Sequence, residues 1–250
     1  MKSSEIIVKL ADGDIRTIAK TLSLVENEGE GAKELLANLP FKRKIPIIGI
    51  TGPPGAGKSS VVNACIGHLV KNDKRVAVLA VDPSSPFNFG SLLGDRVRME
   101  AHFNDDKVFI RSVASRGHLG GLSTRIYEMA DVLANANFDY IFIETVGVGQ
   151  SELAVHGMTD AFLLLSQPGA GDELQGIKRG VLELADLVIV NKVDRLPEGA
   201  RQTAIQLKQA LHLAPPRADQ WTPQIRTAAA LTGQHIDKIL ESVEEYRQHL

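Results

Sequence analysis

Ile45-Pro46-Ile47-Ile48-Gly49-Ile50-Thr51 runs straight into Gly52-Pro53-Pro54-Gly55-Ala56-Gly57-Lys58-Ser59, and Ser60 then opens a stretch carrying Val61, Val62, Cys65, Ile66 and Leu69 at helical spacing. An apolar run, a glycine-rich turn and an amphipathic helix in this order predict a strand, a loop and a helix. Residues 52–59 satisfy G-x-x-x-x-G-K-S, a pattern that average residue usage produces about once in a hundred chains of this length. Its glycines let backbone N–H groups curl around phosphate oxygens, and the helix that follows offers its positive end. Gly52, Pro53, Pro54, Gly55, Ala56, Gly57, Lys58, Ser59 and Ser60 are therefore the expected phosphate contacts. Lys58 is expected to bridge the β- and γ-phosphates and the Ser59 hydroxyl to bind Mg²⁺. Cys65 falls on the core side of the helix, where an inert, packed thiol is expected.

Outward from this loop the same rhythm repeats. Apolar runs at Ile45–Thr51, Val76–Val81, Val108–Val113, Tyr140–Glu144, Ala161–Leu165 and Leu187–Val190 mostly alternate with helical periodicity, as in Ser59–Val70, Leu122–Leu133 and Leu174–Leu184. Continuous apolar strands alternating with helices imply an α/β fold with a mostly parallel sheet covered on both faces, the architecture of P-loop NTPases. Ligands in such folds lie beyond the carboxyl ends of the strands, so the informative residues stand where each run stops. Residues 4–38 read as helices, punctuated by Asp12-Gly13-Asp14. Pro40 and Lys42-Arg43-Lys44 mark a junction, which divides the chain into a helical arm, 1–44, and a nucleotide domain, 45–250.

The run ending at Val190 leads into Asn191-Lys192-Val193-Asp194. In this N-K-x-D arrangement the Asp194 carboxylate can accept hydrogen bonds from guanine N1–H and the 2-amino group. Adenine lacks that donor pair and would leave the carboxylate unpaired, so GTP is the expected substrate. The Asn191 amide can contact the other edge of the base, and the Lys192 stem can cover its face. Gln224–Thr227 reads as the next strand, and Ala229, Ala230 and Leu231 after it form the expected second base loop, with an alanine N–H aimed at guanine O6.

Three acids at or after strand ends, Asp82, Asp95 and Glu144, are candidate ligands for Mg²⁺ together with Ser59, because Mg²⁺ prefers one or two carboxylates with hydroxyl, phosphate and water oxygens. Glu144-Thr145-Val146-Gly147 occupies the place of a D-x-x-G switch, where the Gly147 N–H can sense a γ-phosphate. Val148 stands where small signalling GTPases keep a water-orienting glutamine, which implies slow hydrolysis stimulated by a partner. Lys58, Asp95, Glu144 and Gln150 are the candidate catalytic residues.

The 250 residues suffice for one substantial domain plus an appendage. A net charge of −2 gives no reason to expect nucleic acid or an anionic membrane as partner. One cysteine excludes an internal disulfide, and neither a signal peptide nor a membrane-length apolar run is evident, so a soluble cytoplasmic protein is expected.

Several longer stretches carry a family resemblance: Val81-Asp82-Pro83-Ser84-Ser85-Pro86, Gly90-Ser91-Leu92-Leu93-Gly94-Asp95-Arg96, Ser115-Arg116-Gly117-His118-Leu119-Gly120-Gly121, residues 144–152, and Pro168-Gly169-Ala170-Gly171-Asp172-Glu173-Leu174-Gln175-Gly176-Ile177-Lys178. Together they resemble the GTPase chaperones of adenosylcobalamin-dependent acyl-CoA mutases, the methylmalonic aciduria type A or ArgK-type family, over nearly the whole chain. The resemblance implies a hydrolase for which GTP and GDP are substrate and product, with Mg²⁺ required. It also implies that the nucleotide state gates adenosylcobalamin loading and protection of a mutase such as methylmalonyl-CoA mutase, with no cobalamin bound by this chain itself. Asp82, Asp95 and Glu144 match the family's magnesium and switch positions, and 168–178 matches its third switch.

Two departures stand out. Asn88-Phe89 replaces a more usual Thr-Gly ahead of Gly90, and the resemblance implies a C-terminal arm, used by many relatives to dimerise, that does not follow Glu241–Leu250 in this sequence, so a homodimer is expected to use another surface. Two other classes share the phosphate loop. A nickel-insertion GTPase needs Cys/His clusters, which one cysteine and seven scattered histidines do not offer. A transport ATPase or kinase would not need Asn191-Lys192-Val193-Asp194.

Overall fold

Seven strands, all paired in parallel, form one sheet in the order β3-β2-β4-β1-β5-β6-β7. They are β1 Ile47–Thr51, β2 Val76–Asp82, β3 Val108–Ala114, β4 Tyr140–Glu144, β5 Ala161–Ser166, β6 Leu187–Val190 and β7 Gln224–Thr227. The computed structural model describes residues 3–40, 45–82, 99, 102, 104–114, 125–145, 155–169 and 179–250, without the side chains of Asp82, Ala114 and Arg179. Its helices are α1 Ser3–Ala11, α2 Ile15–Glu26, α3 Ala32–Ala37, α4 Lys58–Lys71, α5 Arg125–Ala134, α6 Arg179–Leu184, α7 Pro197–His212 and α8 Ile236–His249. The strands lie within a residue or two of the sequence reading. Among the described residues no helix is long and apolar enough to cross a membrane.

The period-two alternation of each strand feeds two cores. Val76 and Val78 of β2 join Ile48 and Ile50 of β1 on the face covered by α4 and α8. Ala77, Leu79 and Val81 turn to the other face, where α2 and α5 pack. With β1 at the centre of the sheet, the chain first builds β2 and β3 on one side and later β5, β6 and β7 on the other. The loop after β1 therefore lies at the crevice where strand order reverses, the ligand position of an open α/β sheet.

The N-terminal helices are built into the second core. Leu10, Ile18, Leu22 and Val25 are buried in the cluster that holds Ile126, Met129 and Leu133 of α5. Asp14 caps α2 by accepting the Thr17 N–H at 2.7 Å, which gives Asp12-Gly13-Asp14 its role as a break between helices. At the far end of α2, Glu26 pairs with Arg111 of β3 at 2.6 Å, and Glu28 just beyond it pairs with Arg125 at the start of α5 at 2.5 Å.

At the other sheet margin the Asp186 carboxylate, nearly buried, accepts the Phe162 N–H at 2.7 Å and pairs with Arg217 at 2.8 Å. Arg217 also reaches Asp219 at 2.7 Å and the Tyr246 hydroxyl at 3.1 Å, so one guanidinium joins the loop after α7 to α8 and the base of β6. Desolvation raises the Asp186 carboxyl above the ordinary carboxylate range despite the Arg217 charge beside it.

Candidate nucleotide-binding site

Gly52 (φ 147°), Gly55 (φ 81°) and Gly57 (φ 93°) bend the chain between β1 and α4. Two of these positions admit nothing larger: a Cβ on Gly52 would lie 2.5 Å from the Leu165 carbonyl oxygen, and one on Gly57 would lie 2.4 Å from Asn191 Nδ2. The loop is thus wrapped by β5 on one side and by the residue after β6 on the other. Helix α4 begins at Lys58, so its first-turn N–H groups, which have no carbonyl partners earlier in the helix, open towards the loop.

Lys58 is almost buried, and its ammonium donates to the Gly52 carbonyl at 2.8 Å and the Pro53 carbonyl at 3.3 Å. Ser59 Oγ, also buried, donates to Glu144 Oε1 at 2.7 Å. Glu144 ends β4 opposite Ile50, one register position before Thr51, which brings the acid to the mouth of the loop. The hydroxyl and carboxylate form a pair of hard oxygens of the kind Mg²⁺ accepts. Thr145 is fastened to β1 twice. Its N–H donates to the Ile50 carbonyl at 3.0 Å and its hydroxyl to Thr51 Oγ1 at 3.0 Å. Asp82 closes β2, but its side chain lies outside the described residues, as do Asp95, Gly147 and Gln150 altogether.

The loop after β6 is tied to the phosphate loop at two points. Asn191 Nδ2 donates to the Ala56 carbonyl at 3.0 Å, while its Oδ1 accepts the Ala230 N–H at 3.1 Å. Asn191, expected to face the base, therefore uses one N–H and one lone pair to fasten three loops together. The Ala230 N–H, expected to meet guanine O6, donates here to Asn191 Oδ1. Lys192 sits at φ 64°, the left-handed region, and its ammonium reaches the Gly55 carbonyl at 2.5 Å and Gln167 Oε1 at 2.8 Å. Asp194 is exposed at the rim of the same group, and Leu231 is 72% exposed beyond it. Ala229 pairs with Gln234 through their backbones, so residues 228–235 form a closed turn ahead of α8.

Sequence reading did not find Gln167, Thr51 or Thr145 as site residues. Gln167 had a signal, since it follows the end of β5, where site residues are expected. The threonine pair had none, because a buried hydroxyl at a strand end looks like any other β-former. Cys65 is wholly buried, and burial pushes its thiol up to about 12. Among the described residues no group of three or more His, Cys, Asp or Glu is placed to hold a metal ion.

A model of one protein family, described as Methylmalonyl Co-A mutase-associated GTPase MeaB, matches residues 18–250. The chain belongs to the MeaB family. It is similar to the Pyrococcus horikoshii protein PH0274, 43% identical over 98% of this chain and 78% of that one. It is also similar to GTPase ArgK of Escherichia coli, 39% identical over 99% of this chain and 76% of that one. A solved structure titled LAO/AO transport system kinase superposes with a TM-score of 0.81 at 32% identity, covering 99% of this chain and 76% of its own. The MeaB-family match thus covers the phosphate loop, Glu144 and the loop that follows β6.

Proposed function

We propose that this MeaB-family protein is a Mg²⁺-dependent GTPase whose nucleotide state gates adenosylcobalamin loading and protection of a B12-dependent acyl-CoA mutase. The observation that supports the guanine part is the Asn191 staple, which ties the Asn191-Lys192-Val193-Asp194 loop to the phosphate loop. The family description, which couples GTPase to methylmalonyl-CoA mutase, supports the client class.

In this reading the loop N–H groups and the first turn of α4 grip the phosphates. Lys58 trades its Gly52 and Pro53 carbonyls for β- and γ-phosphate oxygens. Ser59 and Glu144, with Asp82 and Asp95, would hold Mg²⁺, which when bound neutralises charge on the phosphates. Thr145 is pinned to β1, and Gly147, two residues further on, is the candidate sensor of the γ-phosphate. Gln150 is the candidate to orient water. Asp194 reads the guanine edge, the Lys192 stem covers the base, and Ala229, Ala230 and Leu231 close its far side. The 168–178 segment, matched to the family's third switch, would carry the nucleotide state to the mutase.

The test of the guanine reading is Asp194→Asn, which replaces an acceptor by an amide donor suited to the 2-oxygen of xanthine. The GTP-to-XTP preference is expected to move at least about tenfold, or about 1.4 kcal/mol. An unchanged preference, or equal ATP and GTP affinity in the parent chain, would refute it. The client reading is tested by pull-down of methylmalonyl-, isobutyryl- and hydroxyisobutyryl-CoA mutases with GDP against a non-hydrolysable GTP analogue. Capture of none of them in either state would refute that part.

A further inference from the structure

We propose that Gln167 is a positioning residue for guanine binding, holding the Lys192 stem extended across the place of the base; this rests on the guanine reading of residues 191–194. A lysine stem is flexible, and it forms a flat cover for a purine only if its far end is fixed. Here the end is fixed by acceptors from two different elements, the Gly55 carbonyl of the phosphate loop at 2.5 Å and Gln167 Oε1 beyond β5 at 2.8 Å. One acceptor alone would leave the ammonium free to swing about it, whereas two set its direction. The near end is fixed as well, because Lys192 is held at φ 64° and the Val193 N–H donates to the Ala228 carbonyl at 3.2 Å.

Gln167 is itself on a firm base. It follows Ser166, which is fully buried at the end of β5, and it precedes Pro168, whose ring restricts the backbone. Pro168 abuts the first turn of α7, where a Cβ on Gly199 would lie 3.3 Å from the Pro168 Cβ. The turn 167–169 is therefore wedged between the Lys192 tip and α7. The contact Gln167 makes is the acceptor it offers Lys192, so on this reading its effect belongs in nucleotide affinity and not in the chemical step.

The experiment uses the full chain, with GDP carrying a ribose-linked fluorophore as the affinity probe and GTP turnover as the kinetic readout. Gln167→Met keeps the length and removes the acceptor. It is expected to weaken GDP binding and raise the KM for GTP by about three- to tenfold, with kcat within about twofold, the range of one lost ordinary hydrogen bond at a partly exposed site. Gln167→Glu restores an acceptor and is expected to return affinity to the parent level. In a Lys192→Met background, Gln167→Met is expected to change nothing further. A fall in kcat at constant KM, failure of Gln167→Glu to restore affinity, or full additivity with Lys192→Met would each overturn the proposal, and additivity is what a purely structural glutamine would give. A parent chain that binds ADP as tightly as GDP would instead overturn the guanine reading beneath it, a result separable from any of the variants.

Discussion

Replacing Asn191 by alanine separates two roles that the same side chain could play. As a contact for the base alone, it would matter only when nucleotide is present. As the staple between three loops, it matters in the empty protein too. Its Nδ2 serves the carbonyl of Ala56, a fully buried residue, and its Oδ1 serves the N–H of Ala230, which is half-buried. A buried carbonyl left without its donor costs about 1–3 kcal/mol, and a half-exposed N–H that can find water costs about 0.5–1.5 kcal/mol. Freed side-chain entropy offsets little, so the nucleotide-free chain is expected to lose about 2–4 kcal/mol. For a protein of this size that corresponds to a fall in Tm of about 4–16 °C. Urea denaturation of the nucleotide-free Asn191→Ala protein, followed by circular dichroism, measures this directly. Parent-like stability combined with lost GTP affinity would refute the staple and leave a base contact only. The variant also clears the space into which a Cβ on Gly57 would project, so Gly57→Ala is expected to be less harmful in the Asn191→Ala background than alone.

Lys58→Ala is expected to reduce GTP turnover by about 10²–10³-fold, since on the proposed reading it removes the cation that bridges the β- and γ-phosphates; retained parent turnover in a phosphate-release assay would refute that role. Arg217→Met is expected to cost about 3–5 kcal/mol at pH 7 by leaving the buried Asp186 charge uncompensated. The folded-state Asp186 pKa lies above its unfolded value, so this site binds protons more tightly when folded, and its contribution to stability falls as pH rises from about 3.8 through the folded pKa. Part of the Arg217→Met deficit is therefore expected to be recovered as pH is lowered through that window, and urea midpoints of the variant measured across it would refute the reasoning if they moved in parallel with the parent. Cys65, buried and raised to about 12, is expected to resist a thiol-specific disulfide reagent at pH 8 in the native protein and to react fully in guanidinium chloride. Prompt native-state reaction would place α4 differently from the arrangement described.

The strands were legible because both faces of the sheet are covered, which makes each strand a nearly continuous apolar run such as Val76-Ala77-Val78-Leu79-Ala80-Val81. The loops stood out because G-x-x-x-x-G-K-S and N-K-x-D each combine particular residues at fixed spacing just after an apolar run. What sequence could not show is where a side chain goes when two partners compete for it. Asn191 is chemically as able to face a purine as to cross to Ala56, and its crossing to Ala56 depends on how closely the phosphate loop approaches its amide. Asp186 and Arg217 lie 31 positions apart, and nothing in their neighbours announces a pairing that depends on how the loop after α7 returns to the sheet. The end of β5 marked the position of Gln167 but not its contact, because its partner Lys192 comes from the next strand end.

The last turn of α2 and the residues just after it hold Arg111 and Arg125, the first inside β3 and the second at the start of α5, with residues 115–124 joining those two elements. One stretch of chain near the N-terminus thus anchors the supports on both sides of that connection, much as an abutment carries both ends of a span. Removing residues 1–44 would leave that connecting sequence intact while taking away the ion pairs that brace the elements before and after it.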